Sequence, residues 1–183
     1  MRTFSHKGFN YLVPVLALAI MAVPMLVQSQ DVASGSAIAT ILPALTVTAT
    51  AALDFGNVYQ GVSKTIAPNN ADAGIFTLGG SASAGVSVYM QLPDYLQDAV
   101  SNDRMVIAFS ATDAVFDPSA SADPTTPGLG HTDENPHAFS GALTLGAGGA
   151  ATIFLGGKVD PSVNQTAGSY TGDIVLTVAY TGA

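Results

Sequence analysis

A chain of 183 residues with 13 acidic and 5 basic residues has a formal charge of −8. Every acid lies beyond Ser29, where Lys64, Arg104 and Lys158 are the only strong bases; without a basic face, nucleic acid is excluded and anionic membrane surfaces are disfavoured as partners. There is no cysteine, so neither disulfides nor thiol chemistry is available.

Arg2 and Lys7 precede an uncharged apolar run from Tyr11 to Val27, and Val27 and Ser29 suit the small-residue exit of a cleavage site. Residues 1–29 are therefore expected to be a secretory signal peptide. Pro14 and Pro24 inside the run, and the polar Gln28-Ser29-Gln30 that follows, favour cleavage over a retained anchor. No membrane span is expected after cleavage, and the remaining length suits one domain with a core of its own.

From Ala37 to Phe55 every odd position is apolar, while Thr40, Thr46, Thr48, Thr50 and Asp54 make many even positions polar. Alternation with a period of two is the pattern of a strand with one buried face. Pro43 has no N–H to give a ladder and divides the stretch. The division yields an N-terminal arm, residues 30–43, whose apolar part runs from Ala37 to Leu42, and a sandwich domain, residues 44–183, opening on a strand near Ala44 to Thr50. Which arm face turns inward stays open: Ile38, Thr40 and Leu42, or Ala37, Ala39 and Ile41.

Gly56-Asn57 bends the continuing ribbon before Val58-Tyr59, and Lys64 to Gly74 reads as a turn-rich connection. Ile75 to Leu78 is a short apolar run, and Val86, Val88 and Met90 alternate with Ser87, Tyr89 and Gln91 in a clear strand. Asp94 to Ser101 suggests one helical turn with Tyr95, Leu96 and Val100 inward; Met105 to Ser110 suggests a strand. Ala111 to Ala138 holds Pro118, Pro124, Pro127 and Pro136, so no core element is expected there. Ala142 to Leu145 and Ala151 to Leu155 flank a glycine-rich tip and read as a hairpin. Gly156 to Gly168 reads as a loop with Val159 tucked inward, and Tyr170 to Tyr180 as the last strand. Roughly eight short strands, glycine-rich turns and no convincing helix predict an all-β sandwich.

His131, Asp133, Glu134 and His137 are the one cluster with metal-ligand chemistry, but they sit in a Gly/Pro-rich loop whose bland reading is a solvated surface. Asp113, Asp117 and Asp123 lack the spacing of a calcium loop. No nucleophile motif exists, Gly146 to Gly149 lacks the Lys-Ser/Thr pair of a phosphate loop, and Asp54 and Asp173 read as turn-facing or outward. No enzyme, cofactor or metal site is expected.

Ala37 to Asn57, Gly74-Ile75-Phe76-Thr77-Leu78, and Gln165 to Gly172 followed by Leu176 to Tyr180 resemble the bacterial DUF4402 family of exported, cysteine-free β-sandwich proteins. More distantly, the arm, the Leu53-Asp54-Phe55-Gly56 segment and the aromatic end of the last strand are similar to chaperone–usher fimbrial subunits. That resemblance implies an incomplete immunoglobulin-like, pilin-like sandwich completed by the arm of the next subunit. Ala37, Ile38, Ala39, Ile41 and Leu42 are then the subunit–subunit residues. The implied partners are copies of the chain in a head-to-tail homopolymer, or related subunits, with a periplasmic chaperone as a further candidate. The implied place is an extracellular filament or cell surface, reached through the periplasm. The alternative is a self-contained secreted or surface β-sandwich, an adhesin or binding module, whose arm pairs with its own sheet.

Overall fold

The computed structural model describes residues 33–181. The expected signal peptide, and residues 30–32 of the arm, lie outside the described residues. The chain divides between Ala39 and Thr40; in the first unit, residues 33–39 carry no regular secondary structure.

The second unit is all-β, the predicted class. Its strands are β1 (Thr46–Ala51), β2 (Lys64–Ile66), β3 (Gly74–Gly79), β4 (Gly85–Gln91), β5 (Tyr95–Asp98), β6 (Arg104–Ala108) and β7 (Ala114–Asp117). They continue as β8 (Thr132–Glu134), β9 (Leu143–Thr144), β10 (Ala150–Leu155), β11 (Gly157–Asp160), β12 (Tyr170–Thr171) and β13 (Val175–Tyr180). Among the described residues there is no helix, hence none long and apolar enough to cross a membrane.

Three antiparallel sheets form, in the orders β1-β3-β10-β7-β8, β12-β5-β6-β11-β2 and β13-β4-β9. The strand count exceeds the expected eight because long ribbons are cut into pieces. Pro93 separates β4 from β5, and Gly172 to Ile174 separates β12 from β13. Yet β13 pairs with β4, and β12 with β5, so the two ribbons run side by side across both sheets. A side chain at position 172 would press on Leu96 and Pro93, with a Cβ only 2.8 Å from Leu96 Cδ2. Gly156 performs the other switch, carrying the chain from β10 in the first sheet to β11 in the second. A Cβ there would meet the Ile66 carbonyl oxygen at 2.4 Å, a contact only glycine avoids.

The core follows from the alternation. Phe76, Leu78, Phe116, Ile153 and Leu155 of the first sheet pack against Val86, Met90 and Leu143 of the third. Leu96, Met105, Ile107, Ile66 and Val159 of the second sheet pack against Phe55 and Ala73. Each such side chain contributes about 1.5–3 kcal/mol on full burial. Ile75, Phe154 and Val115 form a third cluster on the opposite face of the first sheet. Its central strands are thus buried on both faces and lose the alternation.

Several expectations are corrected. Asp94 to Ser101 is not helical: β5 alternates with Leu96 and Asp98 inward, while Tyr95 and Val100 are exposed. The proline-rich stretch does contain a core element, the fully buried β7, because its prolines all fall after the strand. The glycine tip at 146–149 does not close a hairpin; β9 joins β4 in one sheet and β10 joins β3 and β7 in another. Gly156 to Gly168 includes β11, with Val159 inward as expected, and the Lys64 to Gly74 connection includes β2. Leu53 to Tyr59 forms no strand, although Phe55 is buried.

Candidate strand-acceptor seam

β1 is the outer strand of the first sheet and β13 the outer strand of the third, and the two run beside one another in opposite directions. The start of β1 is tied to the end of β13, where Tyr180 Oη donates to the Pro43 carbonyl at 2.9 Å. Val47 and Ala49 lie opposite core residues Leu78 and Phe76, so they face inward. Leu176, Val178 and Tyr180 of β13 pack against the same cluster. Despite this apolar, core-facing pattern, no residue of either strand is buried. The two layers meet along this side with their edges open.

Main-chain groups at the edge are equally unpartnered. Thr181 N donates to Gly85 O at 3.0 Å, which sets the hydrogen-bonding phase of the β13–β4 ladder. Pairs alternate along an antiparallel ladder, so Val175, Thr177 and Ala179 bond to β4. Leu176, Val178 and Tyr180 turn their N–H and C=O groups the other way, along the open edge.

Further along, the seam widens into a crevice of about 830 Å³. One wall is Ala52 to Gln60, the continuation of β1; the other is Gln165 to Gly172 with Ile174, the chain leading into β13. Leu96, Met105 and Ile107 form the floor. Tyr59, Val62 and Val163 are exposed at the far end, where Gly61 N bonds to Ser162 O at 3.1 Å.

The second wall is held by a polar network. Asp103 Oδ2 accepts from Thr166 N and Gln165 Nε2, each at 2.9 Å, and Asp103 Oδ1 from Arg104 N at 2.9 Å. Tyr170 Oη lies 2.7 Å from its acceptor Thr166 O and 3.1 Å from Asp103 Oδ2, and Gln165 Nε2 donates to it at 2.9 Å. Gln60 Nε2 donates to the Gln165 carbonyl and ties the two walls together. The Thr166 amide and hydroxyl, with the Arg104 amide, hold the Asp103 carboxyl down to about 2. Burial pushes the Tyr170 phenol up, aided by the nearby carboxylates.

Three of the four metal candidates take separate tasks. His131 Nδ1 lies 2.7 Å from Gly128 O, and His137 Nε2 3.2 Å from Phe109 O. Glu134 is buried and accepts from Ser140 N at 2.8 Å and Thr132 Oγ1 at 3.0 Å. His131 and Asp133 share a second depression with Asp113, but among the described residues no three His, Asp or Glu side chains converge on one point. Asp117 serves the loop: burial alone would raise its pKa, yet it is lowered by the N–H groups of Gly128, Ser119 and Ser121. Asp54 likewise caps a turn, accepting from Gly56 N at 2.7 Å.

The arm is exposed: Ile38, Ile41 and Leu42 are 89%, 95% and 49% accessible, and residues 33–45 belong to no strand. Sequence reasoning found these residues but missed the open seam, because an unpaired edge is a relation between β1 and β13, far apart in the chain. The Asp103–Gln165–Tyr170 network was also missed; its only sequence trace is the Gln165 to Gly172 stretch.

No family model matches the chain, and no curated protein sequence does. Among solved structures, a family 123 glycoside hydrolase from Clostridium perfringens aligns with 74% of this chain and 25% of its own, at 14% identity and a TM-score of 0.35. The chain thus spans about a quarter of that enzyme's length, and so distant a likeness carries no argument about activity.

Proposed function

We propose that this protein is a structural subunit of an extracellular filament, joined head to tail by insertion of one copy's N-terminal arm into the seam of the next. The observation that carries this reading is the open seam, whose core-facing apolar side chains and edge main-chain groups lack a covering strand. An added strand satisfies both needs at once: its main chain pairs with the edge and its alternate side chains fill the gap. The contact is heterologous, one surface on the donor and a different one on the acceptor, so it propagates.

Two further observations support a pilin-like reading. The Tyr170 hydroxyl bonds to the main chain four residues upstream at the start of the last ribbon, the tyrosine-corner habit of immunoglobulin-like sandwiches. The resemblance to DUF4402 proteins and fimbrial subunits points to export through the periplasm, with copies of the chain or related subunits as partners. An exposed apolar edge is also a hazard before assembly, which gives a periplasmic chaperone something to cover.

The test uses a chain lacking residues 30–43 and a synthetic peptide spanning Gly35 to Ala44. Peptide binding with a raised melting temperature is expected, since a ligand specific to the folded state stabilises it. No binding and no stabilisation would remove the support for strand addition. A self-contained adhesin instead predicts that the full-length protein stays monomeric and that cells expressing it show no fibres in negative stain.

A further inference from the structure

Arg104 is the one strong base among the described residues that is exposed and has no carboxylate partner. Lys64 is half-buried, and Lys158 pairs with Asp160 at 2.9 Å. Arg104 projects from β6 on the outer face of the second sheet, its guanidinium carbon 6.0 Å from the centroid of the Tyr95 ring. Tyr95 lies opposite Val106 on that face, and the two are 50% and 43% accessible. The base thus stands on an exposed apolar footing.

The reverse face of the first sheet carries the complement. A depression of about 440 Å³ there is lined by Val115, Pro68 and Pro127 together with Asp113, Asp133 and His131, and by no strong base. Asp133 is exposed, and Asp113 engages through Oδ2, which accepts from Ser110 N at 2.7 Å. We propose that this depression receives Arg104 of a second copy, seating the outer face of one sandwich on the reverse of another's first sheet.

Charge and shape agree on this occupant. The planar guanidinium suits two carboxylates, and its methylene stem suits Val115 and the two prolines. Tyr95 and Val106 then cover the rim. The depression's own Arg104 is out of reach. β6 leads from Arg104 towards Ser110, whose carbonyl accepts from Asp113 N at 3.3 Å, so Arg104 stands at the far end of that strand. The strand alone spans about 13 Å at 3.3 Å per residue. The contact joins two unlike surfaces and sets copies side by side. It makes no use of the arm, so it stands apart from strand addition. The formal charge of −8 opposes approach at long range. In about 0.15 M salt that repulsion is screened beyond about 8 Å, while a contacting pair keeps its attraction.

The test is a crosslink of no added length. Full-length Arg104→Lys keeps the positive charge and supplies an amine, which a water-soluble carbodiimide joins to a touching carboxylate with loss of water. Equal parts of ¹⁵N-labelled and unlabelled protein are treated in about 0.15 M salt, and the peptides are mapped by mass spectrometry. Mixed-isotope links from position 104 to Asp113 or Asp133 are expected to exceed those to the exposed Asp72 and Asp173 roughly tenfold. Arg104→Glu protein mixed with Asp133→Lys protein restores the pair with its charges exchanged and is expected to link between the same two positions. Links spread evenly over the exposed carboxylates, or mixed-isotope links in neither arrangement, would overturn the proposal and leave strand addition untouched.

Discussion

The Tyr180 hydroxyl donates to the Pro43 carbonyl at 2.9 Å while accepting from the Ser81 amide at 2.7 Å, clasping the point where the arm leaves the sandwich. The ring also packs at the edge of the main core. Tyr180→Phe keeps that packing and removes both bonds, leaving the Ser81 N–H without its partner. Stability should fall by about 1–3 kcal/mol, read as a lower urea midpoint at unchanged slope. Faster amide exchange at Ser81 is the local signature; unchanged exchange there would contradict the clasp.

Acid should weaken the wall of the crevice. The folded-state pKa of Asp103, about 2, lies below its ordinary value, so the contribution of this group is fully present above about pH 4. It is lost as pH falls through about 2. Asp103→Asn should lower stability at pH 7 and flatten the profile between about pH 4 and 2. Thermal melts across that range check it, and a parallel profile for the variant would show that other carboxylates carry the acid transition.

Thr152 lies at the centre of the first sheet, paired with Thr77 and Asp117, and its buried hydroxyl has no hydrogen-bond partner. A desolvated, unpartnered hydroxyl costs about 1–3 kcal/mol. Thr152→Val keeps the β-branched shape and removes that cost, so denaturant stability should rise by about 1 kcal/mol. A fall in stability would mean that the hydroxyl has a partner such as buried water.

The arm's inward face should be the one carrying Ile38 and Leu42. Those two large side chains share a face with Thr40, whereas Ile41 shares the other with Ala37 and Ala39. Buried apolar area favours the first arrangement by about the worth of one large side chain, 1.5–3 kcal/mol. In the full-length chain, Ile38→Asp or Leu42→Asp should abolish sedimentable polymer, and Ile41→Asp should reduce it less. Equal loss from all three would remove the preference.

Local pattern already determined much of this protein. Alternation in Val86 to Gln91, and in Tyr170 to Tyr180, marks strands with one core face; the structure keeps the first, and divides the second into β12 and β13 at Gly172 to Ile174. The first strand, expected near Ala44 to Thr50, forms at Thr46–Ala51. Where both faces of a strand are buried, as in β7, alternation vanishes and neighbouring prolines obscured the element.

Partnership between distant segments was decided only in three dimensions. Side-chain period says which residues face inward, but not which sheet a strand joins. Gly156 and the tip at 146–149 redirect strands between sheets by close packing against residues far away in the chain. The arm's apolar residues were legible because hydrophobicity is a local property. The seam between β1 and β13 was not, because these two, among the six end strands of the three sheets, come to lie beside one another only when the chain has folded.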